Sequence, residues 1–276
     1  MTRPPPPLGQ HFLTDRNILQ RIVDALDPTP GDVVVEIGAG EGSLTAVLAP
    51  RVRYVIAIER DRRLAHDCGL RIADGGLGNV EVVAGDALKQ DWHALAVARL
   101  ANPQSAIANP QLKVIGNIPY AITSPLIDKA LTPPLPACIV FLVQAEVADR
   151  IAARPGSKTY GAPSVGVQAV CRVEKLFPVR AGAFTPRPSV ASALLRLTPL
   201  AHPLVAVAEL AAFRRFVTAC FARRRKQLRN VLLGATGRPA AQVEEGLGAL
   251  GLDPAARPET LAPEIFARLL RWSARL

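Results

Sequence analysis

Residues 33–42 read Val33-Val34-Val35-Glu36-Ile37-Gly38-Ala39-Gly40-Glu41-Gly42, and this stretch decides the fold. The β-branched run predicts a buried strand, and the three alternating glycines predict a tight turn before a helix that begins at Ser43. Buried strands of this kind occur in parallel sheets that carry helices on both faces. Because glycine has no side chain, the backbone of such a turn can approach a ligand closely.

Alternating strand-like and helix-like segments follow this stretch along the chain. Such alternation predicts an α/β protein with a Rossmann-like, doubly wound and mostly parallel sheet. Further strands are predicted at 54–58, 80–83, 112–116 and 137–143, and two later runs, 165–173 and 191–197, are also strand-like.

The pattern changes after Pro199. Apolar residues recur at helical spacing within 204–233, 243–250 and 263–272, with no strand-like run between them. We therefore predict a ligand-binding domain over residues 1–200 and a small, all-helical domain over residues 201–276.

Composition and charge narrow the functional classes. No apolar run reaches the roughly 18 residues of a membrane helix, and the four cysteines form no Cys-x-x-Cys pair. We therefore expect a cytoplasmic, monomeric protein without a structural metal. The net charge is +10, and residues 201–276 carry 12 Lys/Arg against 6 Asp/Glu, whereas the first 200 carry 21 against 17. This excess at the C-terminal end favours a polyanionic partner.

Acidic residues stand at the ends of the next two predicted strands, and they indicate a cofactor. Glu59 is placed to accept hydrogen bonds from ribose hydroxyls, and Asp86 from an adenine amino group. The fingerprint of nicotinamide-dependent enzymes requires a glycine where this chain has Ser43. The turn at Gly38 and Gly40 thus suits a cofactor without a pyrophosphate, and S-adenosylmethionine is the best candidate.

The strand predicted at 112–116 ends in Asn117-Ile118-Pro119-Tyr120, which can hold a planar ring that bears an amino group. The side-chain oxygen of Asn117 can accept a hydrogen bond from that amino group. Pro119 lacks an N–H, so its turn can leave a neighbouring carbonyl to act as a second acceptor. Tyr120 can supply a stacking face. Taken alone, however, an aromatic residue here more often packs in a core.

Two further segments are candidates for contact with a nucleic acid. Phe184 lies in a loop stiffened by Pro186 and Pro188 and could offer a second aromatic face. A basic run follows a predicted amphipathic helix and could contact phosphates, although a solvated helix face explains it equally well. Its members are Arg223, Arg224, Arg225, Lys226 and Arg229, and Arg187 in the Phe184 loop is a further candidate.

Taken together, the motifs resemble those of the ribosomal RNA adenine dimethyltransferases, in order and from Gly9 to Asn230. Within that group the chain is most similar to the bacterial small-subunit enzymes, which dimethylate N6 of two adjacent adenines in the 3′-terminal hairpin loop. The matching segments are Gly9-Gln10-His11-Phe12-Leu13, Glu36-Ile37-Gly38-Ala39-Gly40, Glu59, Gly85-Asp86-Ala87, Asn117-Ile118-Pro119-Tyr120, Phe141-Leu142-Val143-Gln144-x-Glu146, Ala183-Phe184-Thr185-Pro186-x-Pro188 and Arg224-Arg225-Lys226-x-Leu228-Arg229-Asn230.

The resemblance implies an S-adenosylmethionine-dependent methyltransferase that acts on the small ribosomal subunit. It also implies that Tyr120 and Phe184 sandwich the target adenine, and that the cofactor contacts His11, Leu13, Gly38, Glu59, Asp86 and Asn117. The chain departs from the family pattern at Pro4–Pro7, Ala145, Pro163 and the long interval 99–110.

Three alternatives remain from sequence. A large-subunit RNA dimethyltransferase that confers antibiotic resistance shares the glycine turn and Asn-x-Pro-Tyr, although the segment 224–230 favours the small-subunit type. A DNA adenine methyltransferase is less favoured because no sequence-reading domain is evident. A non-enzymatic ribosome-assembly or transcription factor with the same fold would have no need to keep the cofactor-binding side chains of Glu36, Glu59, Asp86 and Asn117.

Overall fold

The computed structural model describes residues 11–100, 111–223 and 225–274, and their side chains except at 98–100. Pro4–Pro7, residues 101–110 of the interval 99–110, and Arg224 lie outside the described residues. The chain divides into two compact units: residues up to Ala148 together with Glu174–Pro199, and Asp149–Val173 together with the residues from Leu200 onward.

The strands confirm an α/β protein. Their bounds are β1 Phe12–Leu13, β2 Val33–Ile37, β3 Tyr54–Glu59, β4 Val80–Ala84, β5 Leu112–Asn117, β6 Cys138–Gln144, β7 Cys171–Val179, β8 Phe184–Thr185 and β9 Ser192–Pro199.

Seven strands form one sheet in the order β4-β3-β2-β5-β6-β9-β7. The pairs from β4 across to β6 are parallel, and β9 runs antiparallel to β6. From β2 the chain moves outward through β3 to β4 and then returns to β5 on the other side of β2. The carboxyl ends of β2 and β5 flank this reversal, which is where doubly wound sheets bind ligands.

The helices begin with α1, whose start is fixed by Asp15. Its carboxylate accepts hydrogen bonds from the backbone N–H groups of Asn17 and Ile18, so two N–H groups of the first turn are satisfied. The bounds are α1 Arg16–Ala25, α2 Ser43–Leu48, α3 Arg62–Asp74, α4 Trp92–Leu100, α5 Thr123–Ala130, α6 Ala145–Ile151, α7 Ala162–Gln168, α8 Leu210–Phe221, α9 Leu228–Thr236, α10 Ala240–Ala249 and α11 Pro263–Ala274.

A second, two-stranded sheet was not predicted. β1 pairs antiparallel with β8, with Phe12 opposite Thr185 and Leu13 opposite Phe184. The pairing brings the segment that precedes the first helix to the loop that carries Phe184. Two residues per strand give too weak an alternation to be recognised in the sequence.

Residues 165–173 differ from the expectation of a strand, because 162–168 form α7 and β7 starts only at Cys171. The valines in this run favour a strand locally. However, Pro163 lies in the first turn of α7, where it is tolerated, and the hydroxyl of Ser164 accepts a hydrogen bond from the N–H of Gly161. The helix packs on α8, so tertiary contacts outweigh the strand preference.

The two units are not separated by a single boundary, because the chain passes between them more than once. The predicted boundary at residue 200 is one of the points where the chain passes between the two units. Residues 149–173 were assigned to the first domain, but they belong with the C-terminal helices. Within that unit, the fully buried Tyr160 donates its hydroxyl to the carbonyl of Leu261, and its ring packs edge-on against Phe221.

Three further observations concern expectations drawn from composition. Within residues 11–100, 111–223 and 225–274, no helix has both the length and the apolar character needed to cross a membrane. Those residues also contain no group of three or more His, Cys, Asp or Glu that could hold a metal ion. The four cysteines are all buried, as expected of small apolar side chains.

Candidate active site

One cleft lies at the carboxyl ends of the parallel strands, next to the reversal between β2 and β5. It is lined by the two strand ends and by the segment that forms β1. All the cofactor-binding residues expected from the sequence line it, and so do three of the four residues expected to hold the target base, of which Asn117 has both roles. The lining residues among the candidates are His11, Leu13, Gly38, Gly40, Glu59, Asp86, Asn117, Pro119 and Tyr120.

The glycine turn forms the base of the cleft in a conformation that other residues rarely adopt. Gly38 and Gly40 have φ angles of +74° and +57°, in the left-handed region that glycine tolerates. A Cβ at Gly40 would lie 3.1 Å from the ring of Phe12. The turn is therefore packed beneath Phe12, a cleft residue that the sequence analysis did not single out.

Glu59 is fixed by the backbone on both of its carboxylate oxygens. Its Oε2 accepts from the N–H of Gly40 and its Oε1 from the N–H of Asp61, both at 2.9 Å. The residue is 2% exposed. Because a carboxylate oxygen can accept more than one hydrogen bond, the group can serve a ligand hydroxyl without reorienting.

Asp86 is oriented by its own turn. Its Oδ1 accepts from the N–H of Leu88 at 3.0 Å, and its backbone carbonyl accepts from the N–H groups of Lys89 and Gln90. The side chain therefore has a fixed direction at the edge of the cleft, as an acceptor for a ligand amino group requires.

Glu36 is a buried acid on β2, two residues before Gly38 of the glycine turn. It is 1% exposed, and its Oε2 has no hydrogen-bond partner among the described residues. Burial, to which the negative charge of Glu59 adds, raises the pKa of Glu36 from 4.5 to about 8. The acid is therefore protonated near neutral pH, since a buried carboxylate is costly.

We expect the Glu36→Gln variant to be more stable than the wild type at pH 8.5, by an amount on the order of a few kcal/mol. Because the pKa is raised on folding, the folded wild type holds an extra proton between pH 4.5 and about 8. Its stability therefore falls as the pH rises through that window, and glutamine has no proton to lose. Thermal unfolding at pH 5 and pH 8.5 measures the effect. An equal difference between the two proteins at both pH values would contradict the raised pKa.

Asn117 has a fixed amide orientation. Its Nδ2 donates to the backbone carbonyl of His11 at 2.8 Å. The side-chain oxygen is thereby identified as the remaining acceptor of the amide, at the end of β5. A Cβ at Gly38 would lie 3.4 Å from the backbone oxygen of Asn117, so the end of β5 lies directly beside the glycine turn.

The turn at Pro119 bears on which backbone carbonyl can accept a hydrogen bond from a ligand. The carbonyl of Pro119 accepts from the N–H of Ile122 at 3.1 Å and from the hydroxyl of Thr123 at 3.4 Å. It is therefore engaged within the turn. Ile118, the residue before Pro119, lines the cleft, and its backbone carbonyl is the candidate for the second acceptor.

The two aromatic candidates are placed differently. Tyr120 lines the cleft, with its hydroxyl 2.8 Å from that of Ser192 and its ring 5.7 Å from the ring of His11. Phe184 is 3% exposed and belongs to the apolar core. The structure does not bring Phe184 to the cleft, so its ring would have to leave the core to stack on a ligand.

Two side chains link the cleft to the 184–192 region. His11 donates from Nδ1 to the carbonyl of Pro186 at 2.8 Å, an interaction outside its expected role as a cofactor ligand. Ser192 meets Tyr120. Ser192 was not among the sequence candidates, and the available signal was a hydroxyl directly before the apolar run Ala193-Leu194-Leu195.

The cationic candidates also separate into two groups. Arg187, Arg223, Arg225 and Lys226 are exposed. Arg229 forms an ion pair with Glu244, with 2.6 Å between Nε and Oε1. Arg223, Arg225 and Lys226 lie in the turn between α8 and α9.

The sequence of this chain matches a known protein family. Residues 5–269 match the family model described as ribosomal RNA adenine dimethylase. The chain is 44% identical over 264 residues to the ribosomal RNA small subunit methyltransferase A of Moorella thermoacetica, covering 95% of this chain and 90% of that protein.

Two solved structures share the fold along nearly the whole chain. One is a dimethyladenosine transferase from Plasmodium falciparum, with a TM-score of 0.80 and 28% identity over 94% of this chain and 96% of the other. The second is the 23S rRNA methyltransferase ErmE, with a TM-score of 0.72 and 30% identity over 95% and 98%. The family match and the extent of these similarities show that the chain belongs to the ribosomal RNA adenine dimethylase family.

Proposed function

We propose that this protein transfers methyl groups from S-adenosylmethionine to N6 of two adjacent adenines in the 3′-terminal hairpin loop of small-subunit ribosomal RNA. The products are N6,N6-dimethyladenosines, formed during ribosome biogenesis. The observation that carries this proposal is the fixed amide of Asn117, which lines the cleft and whose Nδ2 donates to the His11 carbonyl, so that its side-chain oxygen remains as an acceptor. The names of relatives such as the Moorella thermoacetica protein support the small-subunit substrate.

The residues of the cleft fit the proposed cofactor. Gly38 and Gly40 form the tight backbone turn at the base of the cleft, Glu59 presents a preoriented carboxylate for ribose hydroxyls, and Asp86 can accept from an adenine amino group. The cleft also holds the buried acid Glu36, which a cationic ligand would help to ionise. His11 and Leu13 line the same cleft.

When bound, S-adenosylmethionine supplies an electrophilic methyl group on a sulfonium. The task of the protein is to present the adenine N6, a poor nucleophile because its lone pair is delocalised into the ring. Asn117 Oδ1 and the Ile118 carbonyl can accept both N–H hydrogens, which favours a pyramidal nitrogen with its lone pair turned toward the methyl donor. The surplus proton leaves to solvent, so no general base is required.

The target adenine has to leave its stack before it can reach the cleft. We assign Tyr120 as the aromatic face that receives it, with Pro119 setting the turn from which that ring projects. Phe184 is proposed as the second face after displacement from the core, since its loop is connected to the cleft through His11 and Pro186.

We assign the C-terminal helices, residues 201–276, to contact with ribosomal RNA, and the unit formed by the residues up to Ala148 with Glu174–Pro199 to cofactor binding and transfer. Arg187 on the loop after Phe184 is a further candidate for phosphate contact. Arg229 is less available than its neighbours because of its ion pair with Glu244. The proposed partner is the small ribosomal subunit, the proposed location is the cytoplasm where ribosomes are assembled, and the proposed oligomeric state is a monomer.

Replacing Arg223, Arg225 and Lys226 with Gln is expected to weaken binding to small subunits and to reduce its salt dependence, while cofactor affinity is unchanged. The log–log salt slope should fall by about 0.7–0.9 for each phosphate that is no longer neutralised by a cation. Binding measured at several salt concentrations gives the slope. The control is Arg51→Gln, which removes a surface cation paired with Asp24. An unaltered slope would show that these cations form a solvated surface only.

The function itself is tested by incubating the protein with labelled S-adenosylmethionine and three substrates. These are small subunits that lack the two dimethyladenosines, large-subunit RNA, and duplex DNA. We expect up to four methyl groups per small subunit and none on the other two. Transfer to large-subunit RNA would support the resistance-type alternative, which the likeness to ErmE brings into the comparison. Binding to small subunits without transfer would support a non-enzymatic assembly factor.

A further inference from the structure

A buried serine lies behind the aromatic face of the cleft. Ser192 is 0% exposed, and its hydroxyl oxygen is 2.8 Å from the hydroxyl oxygen of Tyr120. It is the first residue of β9, where its backbone is paired with that of Gln144 on β6. Tyr120 and Ser192 are 72 residues apart in the sequence, so the contact joins the turn after β5 to the strand that follows the Phe184 loop.

The hydroxyl of Ser192 is unusual in its surroundings. The next three residues of the strand, Ala193, Leu194 and Leu195, are all apolar and fully buried. A hydroxyl in such a place destabilises the fold unless it is hydrogen-bonded. The pairing of β9 with β6 uses the backbone and needs no hydroxyl, so the strand itself does not explain the serine. Its hydrogen bond with Tyr120 does.

This hydrogen bond restrains Tyr120 at the tip of its ring. The root of the ring is held by the turn in which the Pro119 carbonyl accepts from Ile122. One side of the ring is flanked by His11, with 5.7 Å between ring centroids and 37° between ring planes. A side chain held at both ends has few rotamers left to lose when a ligand stacks on it.

We propose that Ser192 is a positioning residue, which fixes the ring of Tyr120 as the stacking face for the extruded purine. This inference rests on the proposed function, since it requires that an adenine enter the cleft. Ser192 does not touch the reacting atoms and acts through Tyr120. It orients the base and leaves the cofactor untouched, so its loss should slow transfer without changing cofactor affinity.

The test is a double-mutant cycle with Ser192→Ala and Tyr120→Phe, each of which removes one hydroxyl of the pair. Single-turnover methyl transfer is measured on small subunits at saturating cofactor. We expect each variant to be about 3–10-fold slower than the wild type, since one neutral hydrogen bond is removed. The double variant should be no slower than the slower single variant, because the two changes remove the same interaction. Cofactor affinity, measured by calorimetry, should be unchanged in all three.

A second readout separates positioning from a loss of stability. Small subunits that carry 2-aminopurine in place of one target adenine report stacking, since 2-aminopurine fluoresces more weakly when stacked. We expect less quenching with either single variant than with the wild type. The matched control is Ser164→Ala, which removes another fully buried serine hydroxyl, one that donates to the carbonyl of Arg150. That variant should lower thermal stability and leave both the rate and the quenching unchanged.

Several results would overturn the proposal. Ser192→Ala with wild-type rate and quenching would make the serine structural only. Additive effects on the rate in the double variant would show that the serine does not act through Tyr120. If Ser164→Ala slowed methyl transfer as much as Ser192→Ala does, the loss of rate would come from lower stability of the fold and not from the position of Tyr120. Failure of the wild type to methylate small subunits would instead overturn the proposed function, and the two failures are therefore distinguishable.

Discussion

Replacing Asn117 with Ala is expected to slow methyl transfer by a factor on the order of 10² or more, with the fold intact. The change removes the acceptor that the proposed mechanism aims at the reacting nitrogen. In the wild type, the hydrogen bond from Nδ2 to the His11 carbonyl holds the side-chain oxygen in place before substrate arrives. Alanine has neither the acceptor nor this hydrogen bond. Single-turnover rates at saturating cofactor and substrate measure the chemical step.

A matched control for Asn117→Ala is Asn79→Ala. Asn79 directly precedes β4, at the opposite end of the strand from the cleft. Its Nδ2 donates to the backbone carbonyls of Ala49 and Val52. It should cost stability without slowing transfer. If Asn117→Ala transfers methyl groups at the wild-type rate but binds cofactor poorly, Asn117 is a cofactor ligand and the role in orienting N6 is wrong.

Replacing Glu59 with Ala is expected to weaken S-adenosylmethionine binding by several fold to about a hundredfold, because charge-assisted hydrogen bonds are worth roughly 1.5–3 kcal/mol. The carboxylate also accepts from the N–H groups of Gly40 and Asp61. Its removal therefore loosens the glycine turn as well as the ribose contact. Calorimetric titration gives the affinity directly.

Glu59→Gln separates these two contributions. Glutamine keeps the size of the side chain and one acceptor oxygen, but its amide group must face one of the two backbone N–H groups. We expect it to bind cofactor more weakly than the wild type, with thermal stability closer to the wild type than that of Glu59→Ala. Unchanged affinity in both variants would mean that the turn at Gly38 holds a different ligand.

The parts of the site that were predictable from sequence are those set by local chemistry and by parallel topology. The β-branched run before Gly38 defines a buried strand, and alternating glycines define a turn with positive φ angles. Once the strands are taken as parallel, their carboxyl ends must lie along one edge. Glu59, Asp86 and Asn117 are therefore brought to one cleft, as the structure finds.

The parts that were not predictable depend on contacts between distant residues. Nothing near Phe12 indicates that its ring covers Gly40, and nothing near Asn117 indicates that its amide donates to His11, 106 positions away. Phe184 illustrates the converse. Its motif indicates a stacking role, yet in the structure its ring is part of the core, because an aromatic side chain serves either environment equally well.

The pairing of β1 with β8 has a consequence for synthesis of the chain on the ribosome. The backbone partners of Phe12 and Leu13 are Thr185 and Phe184, which are translated long after β1 has left the exit tunnel. A nascent chain that ends before Phe184 therefore lacks the strand that pairs with Phe12 and Leu13. Closing so long a loop is entropically unfavourable and slow. The pairing of β1 with β8 can thus form only after the strands of the large sheet up to β7 have been made.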